Sequence, residues 1–377
     1  MVSNTGVEYL TPIKNISIYN FRNIDNLVFN PGERINIIYG DNAKGKTNLI
    51  EAIWMFTGEK SFRNVKESQL IRLGQNEACL KLNFFDGQRQ QTATIKFTPQ
   101  KSIFLNHCQV KTIFDFIGSF SAIIFSPEDL TLVKGGPNKR RSFLDVAISQ
   151  IKPSYAKLLL EYNKILSQRN ALLKDLYRYP SLMSTLDVWD EVFAKISAKI
   201  TLVRFNYLKA ITPIMQEMYD EISEKKEHLK LEYVSRETEE NFSSFEVAQK
   251  YFIEKIFSSK GADIKSGFSL VGPHRDDFSV MINQLNVKNF ASQGQQRSVV
   301  LALKLAEAQV LNKLANKNPV ILLDDVLSEL DVNRQKHILK FLKGTQCFIT
   351  CCDKNYFNNI SSEASLFKVD ELIKYKS

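Results

Sequence analysis

Eight residues, GDNAKGKT at 40–47, constrain this chain more than any other stretch. They fit the pattern G-x-x-x-x-G-K-[ST], and their flanks have the texture that pattern needs. Apolar Ile35, Ile37 and Ile38 read as a strand ahead of it, and NLIEAIW reads as a helix behind it. Gly40 and Gly45 let the backbone turn tightly, so that its N–H groups face a phosphate. Asp41, Asn42, Ala43 and Lys44 complete the loop, with Asn48 just inside the helix, whose N-terminus adds partial positive charge. In such a cradle Lys46 reaches the β- and γ-phosphates and Thr47 ligates Mg²⁺, so the expected cofactors are ATP and Mg²⁺.

A cradle of this kind needs a carboxylate that holds the metal from a neighbouring strand. NPVILLDDV supplies one, since Val320 to Leu323 form an apolar strand that ends in Asp324 and Asp325. Asp324 is expected to hold Mg²⁺ through water, and Asp325 to orient or deprotonate the attacking water. Alone, LLDD would read equally well as a turn or helix cap. Roughly 280 residues, more than an ordinary domain, separate the two elements. Small P-loop kinases and GTPases keep them within about one domain's length.

The texture between them changes twice. Strand-like runs (ACLKLNFF, TATIKF, SAIIF) fill 78–125, and apolar residues at helical spacing take over from about 138. Helix dominates to about 226, with Pro213 expected to kink or divide it. Strands return at LKLEYV and FSVMIN, then at PVILLDD, QCFIT and near 366–369. The expected division is an N-terminal half-head at 1–137, a mainly helical lobe at 138–265 and a C-terminal half-head at 266–377. The two half-heads must meet in space.

Fifty basic against 41 acidic side chains give a net charge of +9, which favours a polyanionic partner such as DNA. Lys139, Arg140 and Arg141, with Lys134, form a basic run beside Gly135-Gly136 that suits phosphate contact without sequence reading. A charged helix start facing solvent would look the same. Five cysteines in no paired metal spacing read as free thiols of a reducing compartment. With no secretory signal and no run of 18 apolar residues, a cytoplasmic location is expected.

ASQGQQRSVVLALKLAEA (291–308) sets small polar residues at the head of a buried helix, with no acid, histidine or cysteine in its first half. Ser292 suits an N-cap there, and Asp331 in SELD suits one before VNRQKHILKFL.

Taken together these stretches resemble the RecF family of bacterial recombination mediators, in the SMC/RecF branch of ABC-type ATPases. The resemblance rests on IYNFRNI, GDNAKGKTNLIEAI, KSFR, FSPEDLTLVKGGPNKRRSFLD, YNKILSQRNALLK, GPHRDD, ASQGQQRSVVLALKLAEA and LLDDVLSELD, in that order. It implies an α/β fold: an ABC-type P-loop ATPase head with a helical second lobe inserted between its Walker A and Walker B halves. It also implies that SQGQQR is a signature motif meeting the γ-phosphate bound on a second copy, with Ser292, Gly294 and Gln295 at the contact. Asp331 would lie across the same interface. Arg22 and Arg63 resemble nucleotide- or DNA-facing arginines, and Glu128 and Asp129 lie where related heads carry a Q-loop. The family forms an ATP-dependent homodimer that binds single–double strand DNA junctions, hydrolyses ATP slowly, and works with RecO and RecR to help RecA load. Asp325 departs from the glutamate usual in the wider superfamily, and the shorter acid fits slow hydrolysis. A small-molecule P-loop kinase and an ATP-inert DNA-binding scaffold are the alternatives.

Overall fold

A computed structural model describes residues 12–176, 178–223, 225–234, 242–342, 344–353 and 364–373. They divide into two compact units, one made of the residues up to Asp129 together with those from Glu307 on, the other of Leu130–Ala306. The first unit begins with β1 (Ile13–Phe21), β2 (Ile24–Phe29), β3 (Ile35–Tyr39), α1 (Lys46–Trp54), β4 (Ala78–Phe85), β5 (Gln90–Phe97), β6 (Ser102–Leu105), β7 (Cys108–Gln109) and β8 (Ala122–Phe125). The chain then enters the second unit with α2 (Thr131–Lys134), α3 (Pro137–Ile151), α4 (Pro153–Asp175), α5 (Met183–Ser223), β9 (Leu229–Val234) and α6 (Phe245–Ser266). β10 (Asp277–Ile282), β11 (Leu285–Asn286), α7 (Val287–Phe290) and α8 (Gln293–Ala315) follow. The last part comprises β12 (Val320–Asp324), α9 (Val332–Phe341), β13 (Cys347–Cys351), β14 (Ala364–Lys368) and α10 (Val369–Leu372).

Two sheets make up the first unit. One is six-stranded, in the order β2-β1-β4-β5-β6-β7, with antiparallel pairing throughout. Its strands alternate buried with exposed or half-buried positions, as ACLKLNFF of β4 does, because one face packs on the core and the other does not. The other sheet is five-stranded and parallel, in the order β14-β3-β13-β12-β8. Here β8, β12 and β13 are buried at every position, which explains their unbroken apolar runs. The C-terminal ends of β3, β12 and β13 share one edge, where an open parallel sheet places its ligand. The sequence reading made the strand of Asp324 a neighbour of the cradle strand. In fact β13 stands between β3 and β12, and nothing local in CFITC announces that.

The second unit is helical, with a small antiparallel sheet in the order β11-β10-β9. The division therefore differs from the expected one at 266. Residues 277–282 pair with 229–234, which ties the segment beyond 266 to this unit, and the boundary falls at Ala306. Pro213 does not divide α5, which runs for 41 residues. Ile211, Ile214, Met215 and Tyr219 are buried on both sides of the proline, and their packing outweighs the hydrogen bond it removes.

Two buried arginines hold this unit together. Arg169, fully buried, binds Asp190 and Asp263 at 2.8 Å each and Ser269 Oγ at 2.7 Å, joining α4, α5, α6 and the turn after α6. Arg204 binds the Asp145 carboxylate and donates to the Pro273 carbonyl at 2.7 Å. The GPHRDD stretch is thus a lock between helices. The Ser269 carbonyl, just ahead of this stretch, can only accept, so His274 Nε2 donates to it at 3.0 Å, while Nδ1 accepts from the Tyr162 hydroxyl at 2.5 Å. Burial pushes the His274 pKa down to about 4, so the ring is neutral at pH 7.

A folded pKa below the unfolded value of about 6.5 means that the unfolded chain protonates first. The stability of the neutral ring is complete above that value and is lost as pH falls toward 4. Melting curves at pH 7 and pH 5 are expected to show a loss of order 1–2 kcal/mol from this group, and His274→Gln, which keeps one donor and one acceptor, is expected to shrink it. An equal loss in the variant would show that His274 is not held neutral.

Candidate nucleotide site

The GDNAKGKT loop leaves β3 and curls into α1 through three left-handed residues: Gly40 (φ 145°), Ala43 (φ 65°) and Gly45 (φ 92°). A Cβ on Gly45 would lie 2.8 Å from Ile373 Cδ1 and 2.9 Å from Asn23 Oδ1, and one on Gly40 would lie 2.7 Å from Val369 Cγ1. These glycines are therefore fixed by space as well as by φ. Ala43 tolerates the conformation at a cost of about 1 kcal/mol. Lys46 is buried, and its Nζ donates to the carbonyls of Gly40 (2.7 Å) and Asp41 (2.9 Å), so the ammonium lies inside the curl. Asp41, Asn42 and Ala43 are exposed, and Lys44 pairs with Asp370 at 3.4 Å.

Across the sheet edge, Thr47 Oγ1 meets Asp324 Oδ1 at 2.9 Å. The sequence reading put these two residues at one metal, and the fold brings them into contact. Both offer hard oxygens, the donor type Mg²⁺ takes, and Mg²⁺ is ordinarily held by one or two protein oxygens with phosphates supplying others. The set fits. Among the described residues no three His, Cys, Asp or Glu side chains gather into a separate metal site. Bound there, the ion would neutralise charge on the β- and γ-phosphates. Burial raises the pKa of Asp324, while hydrogen bonds from Thr350 and Thr47 pull it back down. Asp325 follows in a left-handed turn (φ 53°), its N–H donating to Thr350 Oγ1 at 2.9 Å. Thr350 escaped the sequence reading. Its one signal was position, at the C-terminal end of a strand that proves to be central in the parallel sheet.

Arg22 turns inward. Its guanidinium makes a two-point pair with the fully buried Glu51 of α1, both bonds at 2.8 Å, and donates to the Gln69 carbonyl at 3.1 Å. Glu51 also accepts from Ser61 Oγ, and Trp54 Nε1 donates to the Lys60 carbonyl at 2.8 Å, so the KSFR segment is tied to the helix behind the loop. Arg63 at the end of that segment is exposed and donates to Asn48 Oδ1 at 3.1 Å. Asn48 donates in turn to Asn23, and Asn23 to the Ala43 carbonyl at 3.1 Å. This chain of amides forms one wall of a cleft of about 950 Å³ that also takes in Arg72 and Phe97.

In the second unit Ser292 and Gln295 form a reciprocal cap at the head of α8. Gln295 N donates to Ser292 Oγ (3.2 Å) and Ser292 N donates to Gln295 Oε1 (2.8 Å). Gln295 Nε2 is engaged with Glu227 Oε1 at 2.7 Å, so the Gln295 side chain builds the turn. Ser292 is exposed and Gly294 half-buried, at the positive end of a 23-residue helix. Asp331, exposed, caps α9 through the N–H of Arg334 at 3.0 Å. The basic run divides. Arg140 is buried, with its two-point pair to Asp277 at 2.6 and 2.7 Å and further bonds to the Leu132 and Gly135 carbonyls, which corrects its reading as a phosphate contact. Arg141 donates to the Asp276 carbonyl at 2.6 Å and to Asn138, and Lys139 is half-buried. In SPEDL, Asp129 Oδ2 accepts from the Ser126 N–H at 2.7 Å, closing the turn that carries Glu128.

Residues 12–374 match the family model described as the RecF/RecN/SMC N terminal domain. The chain is 38% identical over 361 residues to the DNA replication and repair protein RecF of Ruminiclostridium cellulolyticum, covering 95% of this chain and 97% of that one. It is 37% identical over 349 residues to RecF of Acetivibrio thermocellus, covering 92% and 95%. Among solved structures it resembles the recombination mediator protein RecF with ATP in the RecFOR pathway, with a TM-score of 0.87 at 36% identity over 93% of this chain and 95% of that chain. The Smc head domain of Pyrococcus furiosus aligns with a TM-score of 0.54 at 17% identity over 92% of this chain and 91% of that chain, a likeness of fold alone. Matched along nearly its whole described length, the chain belongs to the RecF family of DNA replication and repair proteins.

Proposed function

We propose that this chain is an ATP-dependent DNA-binding protein of recombinational repair and replication-fork maintenance. It uses ATP to change its state of assembly, with no group transferred to a substrate. ATP sits on the 40–47 loop with Lys46 on the β- and γ-phosphates and Mg²⁺ between Thr47 and Asp324. A second copy presents Ser292 and Gly294 to the γ-phosphate, with Asp331 at the same interface. The observation that carries the reading is the Thr47–Asp324 contact, which makes one hydrolysis centre of two distant stretches. The exposed Ser292 at the head of α8 supports the partner half, since the positive end of that 23-residue helix suits an anion.

The resulting dimer binds DNA, double- or single-stranded, with preference for gaps and junctions, and DNA stimulates a weak ATPase. The net charge of +9 supports a polyanionic partner. Arg63, Lys139 and Arg141 are the basic residues retained for that surface, Arg63 being the most open of them. RecO and RecR are the protein partners by family, and RecA loading is the outcome. A protein that acts on bacterial chromosomal DNA in this way works in the cytoplasm; no helix among the described residues is long and apolar enough to cross a membrane.

Light scattering with and without Mg-ATP tests the assembly. Ser292→Arg is expected to bind a fluorescent ATP analogue like the parent yet to stay monomeric in ATP; normal dimers would sink the two-copy site. Asp325→Asn is expected to dimerise and to persist as a dimer, with hydrolysis reduced about 100-fold or more, the scale of losing a group that orients the reacting water. Dissociation as fast as in the parent would remove Asp325 from that role.

A further inference from the structure

We propose that Thr350 is a positioning residue of the hydrolysis centre, whose single hydroxyl ties the metal-holding carboxylate to the backbone of the water-orienting acid. The inference rests on the reading of this site as one that hydrolyses Mg-ATP. Thr350 lies on β13, the strand between the cradle strand and the strand of the two acids, and is directly beside Asp324 in register. It is 1% exposed. Its Oγ1 donates to Asp324 Oδ1 at 2.8 Å and accepts from the Asp325 N–H at 2.9 Å.

A hydroxyl has one donor and two acceptor sites, and this one uses both kinds at once. The two bonds do different work. Asp324 Oδ1 takes Thr350 on one side and Thr47 on the other. When a metal engages the Thr47 hydroxyl oxygen, the bond from Thr350 is the one that holds the carboxylate in register. The second bond fixes a strained turn. Asp325 has φ 53°, a conformation a non-glycine residue adopts only where its surroundings enforce it. Along an extended strand, consecutive side chains point to opposite faces, so two acids in succession would diverge. The left-handed turn breaks that alternation, and the bond from the Asp325 N–H to Thr350 is what secures it. Removing the hydroxyl would loosen the carboxylate and leave a backbone donor without its partner. A side chain with its own charge would compete for the metal, whereas a hydroxyl orients without doing so.

The test compares Thr350→Val, nearly equal in shape, with Thr350→Ser, which restores the hydroxyl. Three readouts are followed: affinity for a fluorescent ATP analogue, the Mg²⁺ concentration that half-saturates its binding, and the rate of phosphate release. Thr350→Val is expected to bind the analogue within about threefold of the parent, to need several-fold more Mg²⁺, and to hydrolyse about 100-fold more slowly, the scale set by misplacing a reacting group by an ångström. Thr350→Ser is expected to recover all three. A residue serving only the core would give a lower melting temperature with binding and hydrolysis falling together, and serine would not separate them. Parent-like hydrolysis and Mg²⁺ demand in Thr350→Val overturn the inference, as does a serine variant as slow as valine. Should the valine variant not fold, as judged by circular dichroism, Thr350→Ala removes the same hydroxyl and is read in its place. Failure of the parent itself to bind Mg-ATP would instead overturn the proposed function.

Discussion

The hydrogen bond between Thr47 and Asp324, 2.9 Å long and closing a separation of 277 residues, is the contact on which the nucleotide site depends. Neither partner alone makes a metal site, and the strand that ends in Asp324 is not adjacent to β3, which leads into the loop before Thr47. What brings them together is the parallel sheet, which admits β13 between β3 and β12 and aligns all three C-terminal ends on one edge. The unbroken burial of β12 and β13 fixes that alignment, since no register slip could leave their apolar side chains in contact with water at lower cost. Residues some three hundred positions apart can thus be placed to within a bond length by packing that none of them makes directly.

Much of this was legible in the sequence, and the limits follow a physical line. A local backbone demand leaves a mark in residue type, and so the glycines of the 40–47 loop, the Asp324–Asp325 pair and the Ser292 cap could all be read. Lateral order in a sheet leaves none. CFITC looks the same whether it lies at an edge or between the strand that leads into the 40–47 loop and the strand of Asp324, and Thr350 gives no sign of itself for that reason. The same blindness set the second lobe's end at 265: FSVMIN announces a strand but not that its antiparallel partner is LKLEYV, with Phe278 beside Tyr233 and Ile282 beside Leu229. Pro213 failed in the opposite sense, a strong local signal overruled by apolar packing on either side.

Charge was the least legible property. Arg140 and Arg141 are neighbours in a run that reads as one basic patch, yet Arg140 is buried against Asp277 while the tip of Arg141 reaches a carbonyl and Asn138. Arg169 and Arg204 are paired with Asp190, Asp263 and Asp145 inside the helical unit, two cations and three acids already set against each other in the net count. The buried pairs therefore leave the surplus of +9 to other side chains, and which arginines of a basic run face outward is decided by their partners and not by their count.

Glu51 has a consequence for how the rim of the site can move. It is fully buried in the helix behind the phosphate loop and is bonded by Arg22 and by Ser61 of the KSFR segment. Withdrawing the Arg22 turn from the helix would strand a carboxylate in the interior, at a cost of about 3–5 kcal/mol for a broken buried pair, and withdrawing the KSFR segment would remove the Ser61 bond to it. The loop bearing Arg63 is therefore fastened to the cradle's own helix, at Glu51 through Ser61 and at Trp54 through Lys60, so the rim and the phosphate loop share one anchor.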